Sequence, residues 1–552
     1  MSDSGSSRHH GGSSNKRVAV VGGGVAGIAC SWELRNHNVD VDIYESSSEL
    51  GGHANSVPFR GKNGQTINVD TGFVVMDETT YPHFNNFLGE IGIQTIPTDM
   101  SFGVATIDGV FEWSSRSIQS FIGTLTLLFS PWLWRLIFDI VRFSLFAQDI
   151  LTEESMATRT ARTGSQFASG YPYDSGDDVL SQAMERDLAD LPPESIGDYL
   201  VREGYSRQFM KYFLIPMVAA PWCIDVDEFG RSFPAKPLIR FMKNHGLLDT
   251  ATKTLQWRSF RNGSRTYVDA FQALLPRRHK LHLNTPIQQV TRTDGGDQVL
   301  VTLADGCTVR SYDHVVLAVH ANQAVTLLGN NATDLERRVL GCFRTSRNVC
   351  YLHSDTSLLP KRPSAHAAWN CILGPYKPAE HESSQRREQQ QQQQQPLLYT
   401  DDEKKQQRHG NTMSLTFDMN ALQDIPLPDE TGSPGRVLVS MNPFRQPSSF
   451  QSSHVYYHPL INSESILMTR YLHTINGVAN VSFAGAWMGF GFHEDGFVSG
   501  AHAARIITQG RAAVPPLDLV GNSEPARSDR AGLWRNALKV VVLGTQQFLN
   551  GW

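Results

Sequence analysis

Six cysteines are spread over 552 residues (Cys30, Cys223, Cys307, Cys342, Cys350 and Cys371), and no two stand in a CxxC pair. That scatter argues against a zinc site or a dithiol redox centre, so no metal is expected, and it suits a reducing compartment. Basic residues are also short: 49 Lys and Arg face 54 Asp and Glu, a formal net charge of −5, with no basic cluster. A nucleic-acid binder is therefore not expected. Residues 1–16 are rich in Ser, Gly and His and lack an apolar core, which argues against a secretory signal and points to a disordered, cytoplasmic start. The sequons at Asn262, Asn331 and Asn480 then read as chance matches. No second GxGxxG follows a strand, which argues against a pyridine-nucleotide reductase. What remains, 40% hydrophobic and 19% charged residues, fits a globular chain of two or more domains.

The strongest positive signal is near the start. Val18 to Val21 make a short buried strand, and Gly22-x-Gly24-x-x-Gly27 turns it into a helix expected over Ile28–Arg35. Gly22 permits the turn, Gly24 lets backbone approach a pyrophosphate, and Gly27 lets helix and strand pack closely. The helix N-terminus supplies free N–H groups for phosphates. A second strand, Val39–Tyr44, ends at Glu45, whose carboxylate suits ribose hydroxyls; Leu50-Gly51-Gly52-His53 follows. The motif alone allows NAD or FAD.

Further on, Thr66–Asp70 alternates like a half-buried strand, Thr71-Gly72 turns into Phe73–Val75, and a helix is expected around Tyr81–Ile91. Residues 118–147 are the most hydrophobic stretch. Past Pro131, Arg135, Asp139 and Arg142 share one helical stripe and apolar residues cover the rest. Three readings stay open: a core or substrate-cavity helix, which leads; an interfacial helix on a membrane; and a span, against which Pro131 and the charges speak. Residues 151–255 read as mostly helical, and strands return at 281–303 and 314–320. Residues 376–412, with unbroken glutamine over 389–395, read as a disordered insert. The tail from Leu533 to Trp552 could form an amphipathic helix after a polar linker.

A late strand, Val481–Trp487, leads into Gly489-Phe490-Gly491-Phe492-His493-Glu494-Asp495-Gly496-Phe497 and a helix expected over Val498–Gln509. This suits a second backbone approach to the same cofactor, with helix N–H groups stabilising charge on a reduced isoalloxazine. Together with Leu50–Asn55, Asp70–Val75, Asp99–Phe102, Gly263–Val268 and His314–Ala318, these blocks resemble the flavin-containing amine oxidase superfamily, which includes protoporphyrinogen oxidases and phytoene desaturase-like enzymes. The chain looks most like a branch labelled only as NAD/FAD-dependent oxidoreductases, often encoded beside or fused to cyclopropane-fatty-acid synthases.

The resemblance implies an α/β fold. A Rossmann-like FAD-binding domain of the glutathione-reductase/amine-oxidase type would be assembled from residues 17–85, 256–340 and 478–511. A mixed α+β substrate domain would use 86–255 and 341–477, with 512–552 as linker and tail. By the same resemblance, Gly22, Gly24 and Gly27 would hold the FAD pyrophosphate, Glu45 the ribose, and Gly51, Gly52, His53, Thr71 and Gly72 would pass near the cofactor. The Val290 backbone would face adenine. Gly485, Trp487, Asp495, Gly496 and Phe497 would lie near the ribityl chain and flavin ring. Two departures stand out: His53 replaces an arginine, and the lysine that amine oxidases hold near flavin N5 has no evident match.

A flavin needs no acid–base triad, because the protein supplies binding, orientation and electrostatics. The expected activity is FAD-dependent removal of hydride from an apolar, acyl-lipid-like substrate, with His493, Glu494 and His320 as candidate proton handlers. Amine oxidation with peroxide release stays open. So does a redox-neutral role, as a flavin isomerase or a non-catalytic partner of a lipid-modifying methyltransferase, with peripheral membrane contact.

Overall fold

The computed structural model describes residues 15–123, 129–151, 177–189, 194–248, 256–293, 295–374 and 413–521, with Val542 and Thr545. The glutamine-rich insert and nearly all of the expected tail helix lie outside the described residues, as do residues 1–14, where disorder was expected.

Lys16–Val21 (β1) has four successive buried residues, as a strand covered on both faces requires. It is the centre of a five-stranded parallel sheet with Val39–Tyr44 (β2), His279–His282 (β3), His314–Leu317 (β4) and Val481–Phe483 (β5), in the order β3-β2-β1-β4-β5. Three remote stretches of chain thus build one nucleotide-type sheet, the α/β class anticipated. A seven-stranded mixed sheet forms a second body. Its order runs from Phe450–Leu460 through Arg344–His353, Leu438–Met441, Met413–Asp418, Trp369–Leu373 and Phe102–Thr106 to Glu112–Ser114.

Five helices position the site: α1 (Val25–Leu34), α2 (Pro82–Glu90), α3 (Pro131–Phe146), α4 (Arg265–Ala273) and α5 (His493–Gln509). Two start earlier than the sequence suggested. Helix α1 begins at Val25 rather than Ile28, so Gly27 lies inside it. Helix α5 begins at His493 rather than Val498, because the Asp495 carboxylate accepts from Phe490 N (3.1 Å) and Phe492 N (2.9 Å) and folds the glycine-rich loop onto the first helical turn.

Helix α3 buries its polar stripe alongside an apolar one, Leu133, Leu136, Phe143 and Phe146. Asp139 and Arg142, from the polar stripe, are buried, whereas Trp134 and Val141 are 56% and 50% exposed. Non-local partners hold the charged groups of the stripe inside. Arg135 and Arg142 donate to the carbonyls of Gly204 (2.8 Å) and Glu203 (3.0 Å), Asp139 accepts from Ser206 N (2.9 Å), and Arg142 lies 3.6 Å from the Tyr205 ring centroid. Among the described residues no single helix is long and apolar enough to cross a membrane. The bent pair Arg207–Trp222 and Val226–Ser232, turned by 88°, has the length and composition, yet packs Leu214, Ile215, Val218 and Phe229 into the core.

Candidate active site

A cavity of about 1420 Å³ runs from the β1–α1 turn to the seven-stranded sheet. A site for one small ligand spans roughly 300–1,000 Å³, so this one accommodates a cofactor and a substrate together.

Its nucleotide end is built of bare backbone. Gly22 has φ +109°, and a Cβ there would lie 2.3 Å from the Ala318 carbonyl oxygen. A Cβ on Gly27 would lie 2.0 Å from the Gly22 carbonyl oxygen, which fixes how closely helix and turn meet. Gly51 N donates to the Gly23 carbonyl (2.9 Å), so the Gly51-Gly52 turn rides on the first glycine turn. A Cβ on Gly24 would meet nothing within 4 Å, and Gly24, Val25 and Ala26 line the cavity. First-turn N–H groups of a helix have no intrahelical acceptor, so an elongated anion laid here meets donors and no side chain. Glu45 closes this end: one carboxylate oxygen accepts from Gly23 N (2.8 Å), the other from Ser47 N (2.9 Å). These residues fit an FAD diphosphate and its adenosine.

Beside Glu45 the wall is Thr285, Pro286 and Ile287; Val290 does not line the cavity but is fully buried in the cluster with Val299 and Val301. Gly27, Gly51 and Thr71 form a supporting layer rather than the wall itself. Thr71 shares a hydrogen bond with the Tyr456 hydroxyl (2.7 Å), which also accepts from Asn55 (2.8 Å).

The middle of the cavity gathers His53, Gly72, His320, Tyr456, His458, Gly485, Trp487 and His493. His493 stacks on Phe73 (3.6 Å between centroids, 5°), bonds the Tyr267 hydroxyl through Nε2 (2.9 Å), and is pushed down to about 3 by burial. It is a neutral imidazole at physiological pH. Burial also lowers His320, whose backbone N–H donates to the Gln323 side chain (3.2 Å) at the start of the helix Ala321–Leu328. Trp487 donates from its indole to the Val319 carbonyl (2.9 Å).

Glu494 stands away from this wall. Its carboxylate accepts from His83 N (3.0 Å) and Phe84 N (2.9 Å) and pairs with His83 Nδ1 (2.7 Å), capping α2, which has no side-chain cap of its own. Asp495, Gly496 and Phe497 likewise anchor α5: Asp495 holds the loop, Gly496 faces Val25, and Phe497 packs on Phe87 (5.1 Å). Burial raises Asp495 to about 7, against the lowering effect of its N–H bonds.

Two contributors escaped sequence reasoning. Asp70 is fully buried, accepts from Ser264 N (2.8 Å), Ser264 Oγ (2.7 Å) and Ser56 Oγ (2.6 Å), and ties the hairpin Ser56–Asp70 to the start of α4. Its place in Asp70-Thr71-Gly72 was the only local sign. Gly500 lets α5 cross α1: a Cβ there would lie 2.0 Å from the Ala26 carbonyl oxygen. No lysine lines the cavity among the described residues, and its only charged side chains are Glu45, Asp99 and Arg116, the last two 3.9 Å apart.

Comparison with known proteins agrees with this geometry. The family model for flavin-containing amine oxidoreductases matches residues 25–508. Protoporphyrinogen oxidase 2 of Arabidopsis thaliana is 27% identical over 195 residues, 32% of this chain and 36% of that protein, so the match spans about a third of the relative's length. The solved structure of a fatty acid isomerase from P. acnes that produces CLA superposes with a TM-score of 0.54 at 15% identity, covering 90% of this chain and 99% of that one. Cyclohexylamine oxidase from Brevibacterium oxydans gives 0.54 at 13% identity over the same shares. At such identities the structural likeness speaks for the fold alone. With the family model spanning most of the chain and a glycine-lined cavity that fits the dinucleotide, this chain belongs to the flavin-containing amine oxidoreductase family, an FAD-dependent oxidoreductase.

Proposed function

We propose that the protein removes hydride from an apolar, acyl-chain substrate. The observation that carries this reading is the far half of the cavity, walled by Met100, Phe102, Trp113, Phe213, Trp369 and Phe417. Apolar walls exclude water and favour an alkyl chain at about 25 cal/mol per Å² buried. An ammonium group would find no uncommitted carboxylate there, because Asp99 faces Arg116 and Glu45 serves the glycine turn. Bound FAD supplies the hydride acceptor. The chain's own residues orient the substrate, keep the pocket dry and present neutral histidines. The same apolar wall suits a redox-neutral isomerisation of an acyl double bond, and the fatty acid isomerase of like fold makes this the second reading.

Anaerobic titration of the holoenzyme with fractionated lipids and a panel of amines separates these readings. Lasting loss of visible flavin absorbance with an acyl lipid is expected. Bleaching by amines alone would overturn the acyl reading, and substrate rearrangement without lasting bleaching would favour isomerisation.

The outward apolar face of α3 supports a lipid bilayer as the source of substrate. Trp132 packs on Phe111 (5.1 Å), and Phe121 packs on the cavity residue Trp113 (5.6 Å), so this region adjoins the pocket. Ile118, in the short helix Ile118–Ile122 that also carries Phe121, is 79% exposed. Co-sedimentation with phosphatidylcholine vesicles is expected, and Val141→Glu with Ile118→Glu should reduce it several-fold at unchanged thermal stability. Equal sedimentation of both proteins would refute the contact.

A further inference from the structure

Two histidines in the middle of the cavity have their polarity fixed from outside it. Val349 N can only donate, and it donates to Asn442 Oδ1 (2.9 Å). The Asn442 amide nitrogen therefore faces Asn348 and donates to its Oδ1 (2.7 Å). That orientation turns the Asn348 amide nitrogen toward His458 Nδ1 (2.8 Å) and toward the Ser346 carbonyl (3.2 Å). A nitrogen that receives an N–H must offer its lone pair. His458 Nδ1 is thus an acceptor, and the proton of the neutral ring sits on Nε2. Burial, with His320 nearby, pushes His458 down to about 4, so the ring is neutral at physiological pH.

His53, with its ring centroid 5.4 Å from that of His458, has the opposite polarity. The Tyr457 backbone lies close enough to its ring to favour an N–H there, and its Nε2 is buried without a hydrogen-bond partner. A ring that gives its N–H to a backbone carbonyl keeps a lone pair on the other nitrogen. Leaving such an acceptor unpaired costs about 1–3 kcal/mol, which points to a group that arrives from outside the chain. No three of these residues are arranged to hold a metal ion among the described residues.

We propose that His458 and His53 form a donor–acceptor pair that binds one uncharged group able to accept and donate at once, and that the Asn442–Asn348 amide chain sets this polarity. A hydroxyl, an un-ionised carboxyl or a lactam edge has that chemistry; an ammonium ion or a phosphate does not. The lactam edge of the isoalloxazine and a polar end of the substrate are the two sources. The inference rests on flavin binding and not on the acyl-chain reading, so either can fail without the other. His458 is a binding residue, and Asn348 acts through it as a positioning residue.

The test uses the holoenzyme labelled with 15N at histidine, with His458→Gln to assign the resonance. Wild-type His458 is expected to show a protonated Nε2 and an unprotonated Nδ1 at neutral pH. In Asn348→Asp a carboxylate meets Nδ1, so the proton should move to Nδ1. If the visible spectrum and reduction potential of the substrate-free holoenzyme shift with that change, the bound group is the flavin. If they stay fixed while substrate binding weakens about tenfold, the loss expected for one hydrogen bond, it is the substrate. Asn348→Ser, which cannot span to His458, covers the case in which the aspartate variant fails to fold, and is expected to move the same readouts. A protonated Nδ1 or a charged His458 in the wild type overturns the proposal. So does a tautomer switch that leaves both the flavin and substrate binding unchanged.

Discussion

Between pH 7 and 4.5 the protein is expected to lose most of its stability, with the steepest fall near pH 5. His279, His353 and His458 are pushed down to about 4, His314 and His493 to about 3, and His53 well below its ordinary value, in each case chiefly by burial. An unfolded histidine titrates near 6.5. Below that pH the unfolded chain takes up protons that the folded chain refuses. Their stabilisation is therefore complete above about 6.5 and is lost as pH falls toward the folded values. The two carboxyls with the largest upward shifts act in the opposite sense. Burial raises Asp70 and Asp495 to about 7, so from about pH 4 to 7 the folded chain holds two protons that the unfolded chain releases. Counting these largest shifts alone, six sites against two leave a net uptake of about four protons on unfolding near pH 5, a slope of ~5 kcal/mol per pH unit. Urea unfolding followed by tryptophan fluorescence across this range measures the slope directly. His314, the first residue of β4, bonds Ser482 of β5 (2.8 Å) and does not line the cavity, so His314→Gln should remove one proton from the uptake. Stability that stays level from pH 7 to 5 would refute the account.

Gly500→Ala is expected to abolish flavin retention. The added methyl would sit 2.0 Å from the Ala26 carbonyl oxygen and 3.0 Å from Ala29 Cβ, contacts that no rotamer change can relieve. Helix α5 must then lift from α1, at ~3 kcal/mol by the usual toll of overpacking. The two helices bring together two parts of the cavity wall: the open turn at Gly24–Ala26, and His493 with Gly491 and Phe492 before it. Separating them misplaces one against the other. Gly89→Ala is the control. Gly89 lies on the exposed side of α2, a Cβ there meets nothing within 4 Å, and alanine in a helix is favoured by about 0.5–1 kcal/mol. The flavin-to-protein ratio and the thermal midpoint of both variants decide the matter. A fully loaded Gly500→Ala protein would show that the crossing tolerates a side chain.

The nucleotide end was legible because its signals are local. Four buried residues, three glycines at fixed spacing and an acid at the end of β2 lie within 30 residues and fold against one another. Local pattern failed wherever a distant group decided the outcome. The start of α5 depends on what the Asp495 carboxylate accepts, and that of α2 on a carboxylate 411 residues away. On α3 the period revealed the polar stripe but not its direction, because the carbonyls and ring that receive it belong to residues 203–206. The Asn348–His458 contact spans two strands separated by 110 positions, and neither residue carries a mark of its own.

The five-stranded sheet has a temporal consequence. Its order places β1 between a strand from residues 39–44 and one from 314–317, and its edge strand is drawn from 481–483. During synthesis the first βαβ unit emerges before the strands β3, β4 and β5 that complete its sheet. Long-range strand pairing is slow because loop closure precedes its reward. Helix α5 completes the crossing with α1 only after residue 500 has left the ribosome. Cofactor loading is therefore a late event that locks the ends of the chain together, and nascent chains short of α5 are the stage most in need of protection from aggregation.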